Sequence, residues 1–210
     1  MKIIVFDQKN ANEVVRFLQA GKVIAYPTET VYGLGCDAFN GLANKKIFKI
    51  KGRASDKALP VLVSSVSMLK KYFKINNLAK QLINKYWPGP LTLVLDFNEN
   101  GKKKFQSINK KNYSGAVRIS SSDIATKIIK KLGSPLVSTS ANPSGEPAAL
   151  DTQTISRYFK NKKNKPDIII EGGNLKESKG STIVDARNGE IKILRQGDLR
   201  VYKVKKFIKL

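Results

Sequence analysis

No histidine occurs anywhere in the 210 residues, and the only cysteine is Cys36. The first absence excludes Ser-His-Asp and Cys-His nucleophile systems, histidine metal centres and imidazole proton shuttles together. The second excludes an intrachain disulfide and a multi-cysteine zinc site. Acidic residues are scarce as well, 16 Asp and Glu against 39 Lys and Arg, which leaves few carboxylates for paired acid–base work. No apolar run approaches the roughly 20 residues that a membrane-spanning helix needs. The opening MKIIVFD carries an apolar patch too short for a signal peptide. A cytoplasmic protein without a membrane anchor is expected. Its chemistry has to come from lysine, tyrosine, hydroxyls and a few carboxylates, or from positioning and charge alone.

What the chain has in excess is positive charge, a formal +23. Such a field draws polyanions, either nucleic acid or nucleotide phosphates. The same excess also follows when Lys, Asn and Ile are abundant everywhere, and the tracts GKKKF, NKKN and KNKKNK read as solvated loops. With 41% hydrophobic and 26% charged residues the chain is globular. Its length suits one domain over residues 1–210 with a core of its own.

Strand-like and helix-like segments alternate. KIIVF reads as a strand. NANEVVRFLQAG places Asn10 as N-cap with Glu13 three residues on, then an apolar stripe of Ala11, Val14, Val15 and Leu18 and a stop at Gly21. KVIAYP is a strand closed by Pro27, and GLANKKIFKI has Ala43, Ile47 and Ile50 at helical spacing. LPVLVSS and LTLVLDF are apolar strands on either side of a helix, NNLAKQLINKYWPGP, which Pro88-Gly89-Pro90 ends. GAVRIS, a helix from about Asp123 to Leu132, SPLVSTSA, DIII, STIVDA and EIKILR follow. The last ten residues, VYKVKKFIKL, alternate apolar and basic as a terminal strand with one wet face would. The lysine- and asparagine-rich stretches near 98–113 and 160–166 read as loops. This order predicts the α/β class, a twisted mixed sheet flanked by helices, with connections too uneven for regular βαβ winding.

Several segments carry chemistry. In KIKGRASDKALPVLV, an extended backbone would send Lys51 and Arg53 to one side, and Lys57 would return across a turn. Three converging cations suit a polyphosphate; a basic loop in a basic protein is the alternative, and these residues alone leave both open. No Walker-type glycine loop is present. PLVSTSANPSGEP alternates Ser138, Ser140 and Asn142, so an extended segment would turn their polar ends to one face, opposite Val137 and Thr139. That suits a pocket wall, or more plainly a hydroxyl-rich strand end entering a turn. GAVRIS sets Arg118 in an apolar strand, where it must reach water, a carboxylate or an anionic ligand. Ser181, Thr182 and Arg195 stand at later strand ends. The main carboxylates near these segments are Glu29, Asp56 and Asp185. Glu29 lies in AYPTETVYGLGCDAFN, between two threonines just past Pro27, and is expected to pair with Arg53 or another cation rather than serve as a catalytic base. Cys36 reads as a small buried filler. A basic, hydroxyl-rich, carboxylate-poor set suits recognition of an anion.

From about residue 10 to residue 200, YPTETVYGLGCDA, KIKGRASDKALPVLV, WPGPLTLVL, AVRIS, STSANPSGEPA, STIVD and ILRQG follow one another in an order that resembles the YrdC/TsaC family. Members are the threonylcarbamoyl-AMP synthases of tRNA modification, and the family's KxR and SxN signatures stand here as Lys51/Arg53 and Ser140/Asn142. The resemblance implies a single YrdC-like domain in its short bacterial form, its sheet wrapped around a large basic concave cavity. It implies synthesis of threonylcarbamoyl-AMP from L-threonine, bicarbonate or CO2 and ATP, with release of pyrophosphate. A partner tRNA threonylcarbamoyl-transferase would then modify adenosine beside the anticodon. Carried over residue by residue, Thr30, Arg118, Ser138 and Ser181 would hold L-threonine. Arg53, Lys57, Ser114, Ser140, Asn142 and Arg195 would hold ATP, and Lys51 and Arg53 would be catalytic, Lys51 facing the triphosphate or the transferred carboxyl group. Mg2+ would ride on the phosphates rather than in a protein cage, and no prosthetic group is implied. The chain departs from the pattern at Ala54 and Ala58, where prolines are common, at Ser120 in place of a proline, and at Ala148 in place of a hydroxyl near the adenosine.

Other readings compete. A non-catalytic module binding tRNA or double-stranded RNA follows from the charge alone and would weaken steeply with salt. Against it, the most specific segments are rich in Ser, Thr and Asn and suit a small ligand. Carbamoyl transfer of the hydrogenase-maturation type shares the domain, but one cysteine and no histidine exclude its zinc-finger segments. A site like that of dihydroxybutanone-phosphate synthase would want histidine and clustered acids.

Overall fold

The computed structural model describes residues 1–7, 9–53, 58–109 and 113–200. In chain order its elements are β1 (Lys2–Val5), α1 (Ala11–Gln19), β2 (Ile24–Tyr26), β3 (Gly33–Gly35), α2 (Gly41–Lys51), β4 (Val61–Leu62), α3 (Val66–Lys70), α4 (Asn77–Tyr86) and β5 (Leu91–Asp96). There follow α5 (Glu99–Lys104), β6 (Ser114–Arg118), α6 (Asp123–Leu132), β7 (Leu136–Val137), β8 (Thr139–Ser140), α7 (Thr152–Phe159), β9 (Ile168–Glu171), β10 (Thr182–Asp185) and β11 (Lys192–Arg195).

The mixed α/β architecture expected from the sequence holds, with the strands divided between two sheets. One runs β1-β9-β2-β3-β8 and the other β11-β10-β5-β6-β4-β7. Both mix directions: β1, β9 and β2 are parallel while β3 and β8 pair antiparallel. In the second sheet β10 is parallel to β5 and β4 to β6, and the remaining pairs are antiparallel. The chain changes sheet at one residue. β7 pairs with β4 and β8 with β3, and only Ser138 separates them. That switch draws the two sheets together and sets hydroxyl-bearing residues where they diverge.

Helices α1 and α6 cover one face of the first sheet, where Val14, Leu18, Ile128 and Ile129 pack on Ile4, Ile24 and Ile170. The stripe Ala11, Val14, Val15 and Leu18 is buried as its spacing requires. The start of α1 differs from the expected capping box. The Asn10 side chain turns back, accepting from Asp7 N at 3.0 Å and donating to Val5 O, and Glu13 pairs with Lys2 at 3.1 Å. The Asp7 carbonyl accepts from Ala11 N, so one orphan donor of the first turn is met from upstream. A larger core joins both sheets through Leu34, Leu91, Val117 and Val184. Its centre of aromatic rings, Phe39, Tyr72, Phe73, Phe97 and Phe105, has neighbouring centroids 5.0 to 5.6 Å apart.

This aromatic cluster corrects one expectation. Part of the lysine-rich stretch after residue 98 is the helix α5, capped by Asn98 through Gly101 N at 2.9 Å and drawn in by the fully buried Phe105. The short α3 and α7 are also additions to the sequence reading, each begun by a side-chain cap from Ser65 and Asp151. Among the described residues no helix is long and apolar enough to cross a membrane. The expected terminal strand after residue 200 lies outside the described residues.

Candidate active site

Between the two sheets lies a cavity of about 340 Å³. The first sheet contributes Thr28 and Thr30 from the β2–β3 turn, Gly33 from β3, and Thr139 and Ser140 from β8. The second contributes Leu62 from β4, Thr92 from β5, Arg118 from β6, Ile183 from β10 and Arg195 from β11. Ser138, at the sheet switch, completes the wall, and Ser178, Lys179, Gly180 and Ser181 form its rim. Eight hydroxyls and three cations face this space, and no carboxylate lines it among the described residues.

The β2–β3 turn is ordered by Thr28. Its Oγ1 accepts from Thr30 N at 3.2 Å and Val31 N at 3.3 Å and donates to Val31 O at 2.6 Å. Thr30 Oγ1 lies 3.0 Å from Thr28 Oγ1 at the cavity wall. Beneath the turn the Tyr26 ring is fully buried, its phenol pKa raised by burial. Gly35 is required here: a Cβ would stand 2.6 Å from the Tyr26 ring and 2.8 Å from Val137 O.

Arg118 ends β6 at 6% exposure, and its guanidinium donates through Nη1 to Glu29 Oε1. The other carboxylate oxygen, Oε2, accepts from Ser120 Oγ. Glu29 thus finds its cation, and the partner is Arg118. Across the cavity, Arg195 donates Nε and Nη2 to Ser181 O at 3.1 and 2.7 Å. Its pKa is lowered, first by partial desolvation and then by the positive field of Arg118. Thr92 Oγ1 lies 2.7 Å from Ser181 Oγ. Asp198 clamps the rim, accepting from Ser178 Oγ at 2.6 Å and Lys179 N at 2.7 Å.

Thr30, Arg118, Ser138, Ser140, Ser181 and Arg195 are therefore brought to one cavity. Lys51 and Asn142 stand directly behind its wall. The Lys51 ammonium, 5% exposed, donates to Ser140 O at 2.8 Å, Asn142 O at 2.9 Å and Asn142 Oδ1 at 3.2 Å. Burial, and secondarily the Arg53 charge, push its pKa down to about 8. The extended backbone expected through Lys51 and Arg53 is not formed. Lys51 is the last residue of α2, and Gly52, at φ 60°, turns the chain before Arg53. Arg53 lies along a second, surface groove with Phe39, Phe48 and Ser107. Ser114 shares a face of β6 with Arg118 but sits four residues away, about 13 Å, where its hydroxyl accepts from Arg187 Nη1 at 3.3 Å. Lys57 lies outside the described residues.

Thr139 faces the cavity beside Ser138 and Ser140, against the expected alternation, because the sheet switch breaks the strand there. Thr28, Thr92 and Lys179 were not singled out from the sequence. The signal for Thr92 is legible in retrospect, a hydroxyl between Leu91 and Leu93 in an apolar strand.

Comparison with known proteins places the chain in a family. The family model Sua5_yciO_yrdC, described as Telomere recombination, matches residues 16–197. A threonylcarbamoyl-AMP synthase of Pyrococcus abyssi is 36% identical over 193 residues, 91% of this chain and 55% of that protein. One from Vibrio campbellii is 33% identical over 192 residues, 90% of this chain and 100% of its own length. The chain thus spans about half of the Pyrococcus relative and the whole of the Vibrio one. The crystal structure of P. abyssi Sua5 complexed with L-threonine superposes with a TM-score of 0.87 at 33% identity, covering 99% of this chain and 59% of that one. The chain belongs to the Sua5/YciO/YrdC family.

Proposed function

We propose that this protein is a nucleotidyltransferase that makes threonylcarbamoyl-AMP from L-threonine, bicarbonate or CO2 and ATP, releasing pyrophosphate. The observation that carries the reading is the cavity itself, rich in hydroxyls, crossed by two guanidinium groups and free of lining carboxylates among the described residues. The names of the Pyrococcus and Vibrio relatives and the threonine complex of P. abyssi Sua5 support it.

The chemistry asks little of the protein in the way of nucleophiles. The threonine amine adds to CO2 and loses a proton, giving a carbamate. A carbamate oxygen then attacks the α-phosphorus, and the bond to pyrophosphate breaks. The protein's work is alignment, exclusion of water and neutralisation of charge, which a chain without histidine can do. In this reading Arg118 receives the threonine carboxylate, and Thr30, Ser138 and Ser181 meet its amine and hydroxyl. Arg195 and Ser140 face the nucleotide. Asn142 and Lys51 hold that wall from behind, and Lys57, Arg53 and Ser114 complete the nucleotide set that the family pattern assigns. Mg2+ would enter on the ATP phosphates, since among the described residues no cluster of three acidic or thiol side chains stands ready to hold a metal. A partner transferase would carry the product's threonylcarbamoyl group to tRNA.

The test is incubation with ATP, Mg2+, L-threonine and isotopically labelled bicarbonate. An adenylate that retains the bicarbonate carbon is expected. ATP turnover without incorporation of the label contradicts the reading.

A further inference from the structure

The PTET turn and β6 belong to different sheets, and one ion pair joins them across the cavity's edge, that of Glu29 with Arg118. Building on the synthase reading above, we infer that Glu29 is a positioning residue for the amino-acid substrate: it holds the Arg118 guanidinium oriented and charge-balanced until a ligand carboxylate arrives.

Arg118 is almost wholly buried, and a guanidinium left there without an anion would be strongly destabilising. Glu29 supplies that anion while engaging only Nη1. No other acceptor among the described residues takes the remaining donors of Arg118, so part of the fork stays available on the side where Arg118 lines the cavity. Glu29 itself is not part of the lining. Both its oxygens are committed, Oε1 to Arg118 and Oε2 to Ser120 Oγ, and Ser120 is in turn held by Ser122 N at 3.1 Å. A carboxylate so tied is badly placed to take a proton from the substrate amine, but well placed to fix the angle of a planar cation. A bidentate carboxylate contact depends on that angle. The pair also explains Ser120, which stands where the family pattern often has proline. Its hydroxyl is the second anchor of Glu29.

The experiment compares wild-type protein with Glu29→Gln, Glu29→Ala, Arg118→Ala and the Glu29→Ala/Arg118→Ala double variant. Steady-state kinetics in L-threonine and calorimetric titration with ATP are the readouts. Glu29→Ala is expected to raise KM for threonine about tenfold or more, as loss of support for a charge-assisted contact would. Its kcat at saturating threonine should fall far less, and its ATP affinity should stay close to wild type. Glu29→Gln keeps an oxygen for Nη1 and the size of the side chain, so it should fold normally and lie between the two. In the Arg118→Ala background, removing Glu29 should add little, because its effect passes through Arg118. A collapse of kcat in Glu29→Gln with KM unchanged would overturn the inference in favour of a proton-transfer role. Full additivity in the double variant would overturn it as well. Wild-type protein without threonine dependence would overturn the synthase reading and this inference with it, whereas wild-type dependence retained intact in Glu29→Ala would overturn this inference alone.

Discussion

Lys51 Nζ reaches both the carbonyl and the side-chain oxygen of Asn142, at 2.9 and 3.2 Å, and so ties the end of α2 to the segment that walls the cavity. The lysine of KxR and the SxN segment are thereby one physical unit. The lysine supports the backbone of that segment.

Lys51→Met should destabilise the fold by about 1–3 kcal/mol near pH 7, since it leaves the buried Asn142 carbonyl without its donor and Ser140 O with only Asn142 N. The gap should widen with pH. The folded-state pKa of Lys51 is pushed down to about 8, while an unfolded lysine titrates near 10.4. Between these values the unfolded chain binds the extra proton, so the wild-type protein gains stability as pH rises, and the variant lacks that slope. Urea unfolding at pH 7.5 and 9.5 should show the wild-type advantage growing by about 2 kcal/mol. A gap that shrinks with pH would contradict the assignment.

Gly35→Ala should cost about 1–3 kcal/mol of stability, because the added methyl meets both the Tyr26 ring and the Val137 carbonyl. Thermal or urea unfolding measures it. Wild-type stability would mean that β3 does not approach β2 and β7 so closely.

Thr28→Val keeps the shape of the turn but leaves Thr30 N and Val31 N without their shared acceptor and releases the Thr30 hydroxyl. KM for threonine should rise roughly fivefold or more, in proportion to about 1 kcal/mol or more of lost binding, with ATP affinity unaffected. Equal loss for both substrates would point to collapse of the turn rather than loss of hydroxyl orientation.

Much of this was legible in the sequence, and what was not has identifiable causes. The stripe of α1 and the strand closed by Pro27 followed from period and residue type, because local geometry dictates them. Arg118, expected inside its strand, ends β6, and the alternation expected at 138 and 140 is broken at the sheet switch. Lys51 and Arg53 misled as a pair, since a spacing of two shares a face only on a strand and Gly52 ends a helix between them. The division into two sheets, the inward turn of Thr139 and the capture of Phe105 by four other rings depend on partners distant in sequence. No local pattern announces those. Asn10 shows the same limit in miniature, for its cap was taken by Asp7 and Val5 instead of the helix it precedes.

Arg118→Ala and Arg53→Ala separate the two halves of the site. Each should lower kcat/KM by a factor equivalent to at least ~2 kcal/mol, as loss of a charge-assisted contact does. The loss should appear in threonine for Arg118 and in ATP for Arg53, although Arg53 lies along the outer groove in this structure. Near-normal kinetics in either variant would remove that residue from the site.

The most direct test of the whole account is pyrophosphate release from ATP by the wild-type protein, measured with and without L-threonine in the presence of Mg2+ and bicarbonate. The account predicts release that saturates with threonine and is near background without it. Release indifferent to threonine, or none in the complete mixture, would contradict it.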